Sequence, residues 1–255
     1  MPLEIVTIPC LTDNYAYLLR DSATGEVALV DAPEDAPIRA ALAARGWKLG
    51  QILITHHHAD HIDGVETLRD TFHCAVTGAK ADVHRLPPLD RTVAEGDTIS
   101  VGASTARVLE VYGHTIGHIA FHFPDSKALF SADSLMTMGC GRIIEGTAPQ
   151  LWASLSKLAA LPGDTIVHTG HEYTAANTRF AVTIDPDNPA LLARAETVTA
   201  RRAKGLPTVP SLLSEEIATN PFLRAVVPEV KAHIGLPGAS DAEAFGEIRR
   251  RKDKF

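Results

Sequence analysis

The sequence predicts an α/β domain followed by a helical C-terminal region, and three observations lead there. Up to residue 171, short apolar and β-branched runs alternate with Gly, Pro and Asp, which is how strands between turns read. Two stretches with helical apolar spacing, residues 36–45 and 150–161, are interleaved with those runs. Beyond residue 171 the amphipathic helical patterns of residues 190–204 and 241–251 stand out, and no convincing strand follows. The expected division is 1–171 and 172–255.

Residues 3–8, 15–20 and 26–30 read as three successive strands, joined through Thr12-Asp13-Asn14 and Ser22-Ala23-Thr24-Gly25. A helix over 36–45 stops at Gly46, a residue suited to the left-handed C-terminal cap. The apolar run of residues 51–55 is a buried strand that delivers the chain into His56, and residues 63–70 follow as a helix. Strands return at 105–112, 119–123 and 128–131. Pro162-Gly163 ends the helix at 150–161, and a strand at 165–169 runs into Gly170-His171.

Composition excludes several classes. With 45% hydrophobic and 22% charged residues over 255 positions, the chain can bury a core, unlike a disordered protein. A formal charge of −7 argues against a general nucleic-acid binder. No apolar run approaches the ~18 residues of a membrane span. The start, Met1 to Ile5, lacks the basic and apolar stretches of a secretion signal. Cys10, Cys74 and Cys140 form no CxxC pair, so neither a disulfide framework nor a thiolate zinc site is indicated, and a reducing cytoplasm fits. Repeats, GxSxG, Walker and GxGxxG motifs are absent.

The chain holds 12 histidines, and they cluster. In Thr55-His56-His57-His58-Ala59-Asp60-His61, an extended segment points His56 and His58 to one side and His57 to the other. A following helical turn swings Asp60 and His61 back. The bland alternative is a solvated loop with a chance His run, but the run directly follows a buried strand, where loops carry function. His114, Asp133 and His171 each lie just past an expected strand. Five histidines and two aspartates exceed one tetrahedral zinc. They suit two metals held ~3.5–4 Å apart. His118 is open between orienting a ligand and a structural role. His73, His84, His122, His168 and His233 read as surface or packing residues.

These motifs, His56-His57-His58-Ala59-Asp60-His61, Gly113-His114-Thr115, Ala132-Asp133 and Gly170-His171, resemble the metallo-β-lactamase superfamily. Longer stretches resemble its glyoxalase II (hydroxyacylglutathione hydrolase) branch over essentially the whole chain. Among them are Gly139-Cys140-Gly141-Arg142, Gly170-His171-Glu172-Tyr173-Thr174, Pro207-Thr208-Val209-Pro210-Ser211 and Asn220-Pro221-Phe222. The resemblance implies an αββα sandwich with a helical C-terminal domain. It implies two divalent metals, zinc first, with iron or manganese also fitting the donors. His56, His58 and His114 would hold one; Asp60, His61 and His171 the other; Asp133 would bridge them. Arg142, Tyr173, Asn177, Arg249 and Lys252 would contact glutathione.

The reaction so implied is hydrolysis of S-D-lactoylglutathione to D-lactate and glutathione, the second step of methylglyoxal detoxification. A hydroxide bridging the metals would attack, with Asp60 orienting it. The partners are then a small-molecule glutathione thioester, without nucleic acid or membrane, for a monomer. Arg142 stands where the family usually has Lys, and Ile144 where it has an aromatic, usually Tyr, so one hydroxyl of the glutathione pocket is missing. Ala132 replaces a Gly, and Tyr112 a common Pro. The runner-up within the fold is a persulfide dioxygenase with a single iron, disfavoured because Asp60, His61 and His171 are all present. A β-lactamase, an RNA nuclease and a non-catalytic metal-binding module rank lower.

Overall fold

The computed structural model describes residues 3–255; Met1 and Pro2, part of the amino terminus read above for a leader, lie outside the described residues. The chain forms two compact units: one runs up to Glu110 and includes Ile116–Ser131, the other combines Val111–Thr115 with Ala132–Phe255.

In the first unit, β1 (Leu3–Cys10) and β2 (Asn14–Asp21) pair antiparallel from Leu3↔Asp21 to Cys10↔Asn14, and β3 (Val27–Val30) continues antiparallel to β2. Helix α1 (Asp35–Arg45) ends on Gly46 at φ 63, the left-handed cap that the sequence indicates. The crossover through α1 makes β4 (Gln51–Leu53) parallel to β3. Two helices follow: α2 (Ala59–Ile62), the helical turn expected at Asp60 and His61, and α3 (Val65–Phe72), expected over 63–70. Gly64 separates them: its N–H donates to the Ala32 carbonyl at 2.8 Å, and a Cβ there would stand 2.8 Å from the Glu34 backbone.

Strands β5 (Ala75–Ala79) and β6 (Arg91–Val93) add parallel pairs and complete a six-stranded sheet in the order β1 to β6. Neither was expected, because small residues in the one and the polar Arg91 and Thr92 in the other leave no readable apolar run. Strands β7 (Thr98–Val101), β8 (Ser104–Glu110), β9 (Ile119–Phe123) and β10 (Ala128–Ala132) then form an antiparallel meander. Phe130 of β10 joins the two sheets, with its ring 5.4 Å from Tyr17 of β2 and 6.0 Å from Phe123.

The second unit opens with a short hairpin of β11 (Leu135–Met136) and β12 (Gly139–Cys140). Helix α4 (Ala148–Ala159) starts on a capping box of Thr147 and Gln150, and β13 (Ile166–Thr169) follows. Then come α5 (Thr174–Ile184), α6 (Pro189–Ala203) capped by Asn188, β14 (Ser211–Leu212), α7 (Leu213–Thr219), α8 (Pro228–His233) and α9 (Asp241–Lys252). The expectation of no strand after residue 171 is corrected by β14, two residues paired antiparallel with β13. Helix α5 escaped notice because its buried face includes Thr174, Asn177 and Thr178, which mask the apolar stripe.

Glu216 is the polar hub of this unit. Its buried carboxylate accepts from Ser211 Oγ at 2.7 Å, the Met138 N–H at 2.8 Å and Asn220 Nδ2 at 3.1 Å, and it pairs with Arg194. An aromatic column runs beside it: Phe180, Phe222, Phe245 and Trp152 stand 5.8–6.1 Å apart in succession. Among the described residues no helix is long and apolar enough to cross a membrane.

Two outcomes check this packing. Phe130→Ala should lower unfolding stability by about 3–5 kcal/mol in urea titrations, the usual loss for a buried aromatic. Burial pushes the His168 imidazole from its ordinary 6.5 down to about 3. The unfolded chain therefore takes up a proton between those values that the native chain refuses, so stability falls as pH drops through that window. His168→Gln should flatten the pH dependence there, by up to about 1.4 kcal/mol per pH unit.

Candidate metal centre

The first ligand loop is shaped by two adjacent parallel strands. Val30 of β3 pairs with Leu53 of β4, so the chain leaves both at neighbouring carboxyl ends, where open α/β sheets place their sites. Asp31 turns out of β3 at φ 56 with its carboxylate buried. That carboxylate accepts from the Thr55 N–H, the Thr55 hydroxyl and His61 Nδ1, each at 2.8 Å. An Nδ1–H that donates leaves Nε2 as a bare lone pair, the tautomer a metal requires.

The same logic passes along the loop. The Thr55 hydroxyl gives its proton to Asp31 and so accepts from His56 Nδ1 at 3.0 Å, which leaves His56 Nε2 as a lone pair. His56 Nε2 faces His58 Nδ1 at 3.1 Å. Two imidazole nitrogens on one tetrahedral zinc with ~2.05 Å bonds stand roughly 3.3 Å apart, so this pair has the spacing of ligands to a common ion.

Asp60 opens α2 with its side chain 42% exposed and Oδ2 3.9 Å from His61 Nε2. The Asn14 amide donates to both the Asp60 carbonyl, at 2.9 Å, and Oδ2, at 3.0 Å, which holds the carboxylate in one orientation. His57 turns the other way, as expected, and donates Nδ1–H to buried Asp82 at 3.0 Å. His118 now has a position: its ring stacks on His56 at 4.6 Å and 12°, while its Nδ1 donates to the Ile119 carbonyl at 3.1 Å.

The second unit brings His114, Asp133 and His171 together. His114 Nδ1 donates to the Arg142 carbonyl at 2.8 Å, which again leaves Nε2 bare. Asp133 Oδ2 lies 3.5 Å from His114 Nε2 and 3.3 Å from His171 Nε2, so one carboxylate oxygen stands between two imidazoles. The His171 ring lies flat on Tyr173 at 4.6 Å and 6°. Gly141 is obligatory here, since a Cβ would sit 2.0 Å from the Asp133 carbonyl oxygen and 3.0 Å from His114 Nδ1.

The five residues expected to meet a peptide ligand all belong to the second unit. Arg142 and Tyr173 are exposed, Lys252 is partly buried, and Asn177 and Arg249 are buried. Asn177 Nδ2 donates to the Thr137 carbonyl at 3.1 Å. Arg249 donates to the Cys140 carbonyl at 3.0 Å and pairs with Asp253 at 2.8 Å, so it also fastens α9 to β12. Ile144 presents an exposed alkyl side chain. Burial raises all three thiols, Cys10 to about 12 and Cys140 to about 11, so they stay protonated and supply no nucleophile.

Sequence reasoning missed Asn14, Asp31 and Asp82. Only Asp31 carried a signal: it follows the apolar run Val27–Val30 as His56 follows the run through Ile54.

The resemblance is borne out by comparison with known proteins. A model of the metallo-beta-lactamase superfamily matches residues 11–171, and one for the hydroxyacylglutathione hydrolase C-terminus matches residues 172–255. The hydroxyacylglutathione hydrolase of Cereibacter sphaeroides (strain ATCC 17023) is 61% identical over 100% of both chains. That of Methylococcus capsulatus is 53% identical over 99% of both. Among solved structures, ETHE1 from Myxococcus xanthus superposes with a TM-score of 0.67 at 26% identity, covering 98% of this chain and 90% of its own. The B3 metallo-beta-lactamase BLEG-1, at 23% identity and a TM-score of 0.67, covers 86% of this chain and 99% of its own, and shows the shared fold. The fold is thus that of the metallo-β-lactamases with a helical C-terminal region, the histidine and aspartate sets are those of a divalent-metal site, and the chain belongs to the hydroxyacylglutathione hydrolase family.

Proposed function

We propose that this chain hydrolyses S-2-hydroxyacylglutathione thioesters, with S-D-lactoylglutathione the foremost substrate, to glutathione and the free hydroxy acid. In the cytoplasm this is the second step of methylglyoxal detoxification. The observation that carries the reading is Asp133, whose Oδ2 lies 3.5 Å from His114 Nε2 and 3.3 Å from His171 Nε2, a carboxylate that would be shared by the donor sets of those two histidines. By the family assignment His56, His58 and His114 would hold one ion, Asp60, His61 and His171 the other, and Asp133 would serve both. Zinc fits these donors first, with iron and manganese close behind. Two divalent ions bound there would supply a hydroxide at neutral pH and Lewis-acid stabilisation of the developing oxyanion.

The residues of the chain do the rest. Asp60, held by Asn14, would accept a hydrogen bond from the attacking hydroxide and aim its lone pair at the thioester carbonyl. The C–S bond breaks to release a thiolate whose conjugate acid has a pKa of about 8.5, so no dedicated acid is required. Arg142, Tyr173, Asn177 and Lys252 bind the peptide portion, and Arg249 both binds it and holds α9. Ile144 offers no hydroxyl, so discrimination between glutathione and other thiol carriers rests on the cations. The persulfide dioxygenase reading is weaker, since a 61% identical relative over the whole chain is a hydroxyacylglutathione hydrolase and the model for that family's C-terminus matches residues 172–255.

The deciding measurement is thiol release from lactoylglutathione and from other acyl thiols, with metal analysis of the same sample. Lactoylglutathione should be turned over fastest by protein carrying two ions per chain; no release from it by metal-loaded protein sinks the proposal. His171→Ala should lose metal and, together with it, on the order of 10²-fold in activity. Two ions and full turnover in that variant would end the dinuclear assignment. Asp31→Asn faces three donors with one acceptor oxygen, so metal affinity should fall roughly 10–100-fold in chelator competition, with partial recovery of turnover at saturating metal.

A further inference from the structure

The cationic face of the second unit holds more charge than the expected contacts use. Lys252 Nζ donates to the Ala176 carbonyl at 3.2 Å and stands 5.2 Å from the ring centroids of Phe180 and Phe255. Ala176 and Phe180 are four residues apart on α5, and Arg179, three beyond Ala176, shares that face. Arg179 therefore leaves the helix beside the ammonium. Burial, and then the charges of Arg249, Arg179 and Arg142, push Lys252 from its ordinary 10.5 down to about 8, against a smaller opposing effect of Asp253.

The charges are unevenly matched. Arg249 is paired with Asp253. Arg142 and Arg179 are exposed, and among the described residues neither side chain has an ion-pair partner. Lys252 is bonded to a carbonyl and not to a carboxylate. Three like charges held together repel, and an anionic ligand with more than one carboxylate relieves that repulsion. A glutathione thioester carries two carboxylates, and a guanidinium fork matches a carboxylate bidentately.

Resting on the thioesterase reading above, we propose that Arg179 is a specificity-determining residue that clamps one carboxylate of the glutathione moiety, while its charge governs how firmly Lys252 holds the other. The bland alternative is a solvated surface cation, the commoner fate of an exposed arginine, which leaves substrate affinity untouched.

The test compares wild type, Arg179→Gln and Arg179→Lys on three substrates. These are lactoylglutathione, its analogue with the glycyl carboxylate as an amide, and its analogue with the γ-glutamyl carboxylate as an amide. Arg179→Gln should raise KM roughly fivefold on lactoylglutathione at unchanged kcat, with Arg179→Lys restoring most of it. The increase should vanish for the one analogue whose amide removes the clamped carboxylate. In wild type, kcat/KM should decline above about pH 8 as Lys252 loses its proton. Without the repulsion from Arg179 that decline should move to higher pH. An unchanged KM, an equal rise on all three substrates, or an unmoved alkaline limb overturns the inference while leaving the thioesterase standing. Absence of lactoylglutathione turnover in metal-loaded wild type overturns both.

Discussion

The Asp31 carboxylate is the interaction on which the first ligand loop depends. A buried imidazole serves as a metal ligand only when its other nitrogen is already committed as a donor. Asp31 makes that commitment directly for His61 and, through the Thr55 hydroxyl, for His56. It can do so because β3 and β4 run parallel in register, which sets the residue after one strand beside the residues after the other. A buried carboxylate is tolerable only with such donors around it, and each charge-assisted bond contributes about 1.5–3 kcal/mol. The loop and the carboxylate therefore stabilise one another, and the lone pairs of the site are a by-product of that mutual need.

The second unit solves the same problem with backbone. The segment Gly139 to Arg142 offers two carbonyls in opposite service: that of Arg142 accepts from His114, and that of Cys140 accepts from Arg249. Gly141 between them permits the close approach to Asp133 and His114. One strap thus ties ligand orientation to the helix that bears the cationic end. A thioester suits this economy, because a thiolate departs without a proton donor and leaves the chain to orient, bind and exclude competing nucleophiles. The three buried thiols comply by staying protonated.

Much of the fold was legible. Strands β1 to β4 and β8 to β10, and helices α1, α4, α6 and α9, are long or regular enough for their hydrophobic period to show. What escaped notice lacked that pattern: β6 opens on polar, exposed Arg91 and Thr92, β14 has two residues, and α5 buries polar residues where a stripe should be apolar. Gly64 separates α2 from α3 for a tertiary reason, the backbone of residues 32–34 lying where a side chain would go.

Residue type and spacing by themselves marked the candidate donors, since His and Asp at strand ends have few other uses in such number, and they determined that His57 turns away, toward Asp82. They also identified the cations of the C-terminal region. Only the tertiary structure decided which nitrogen of His61 and of His114 carries the proton, because the partner that decides it comes from afar: Asp31 is 30 residues from His61, and Arg142 is 28 from His114. It likewise set Arg179 beside Lys252, across more than 70 residues of sequence. Hydrogen bonds and charge repulsion act through space, and no local pattern records them.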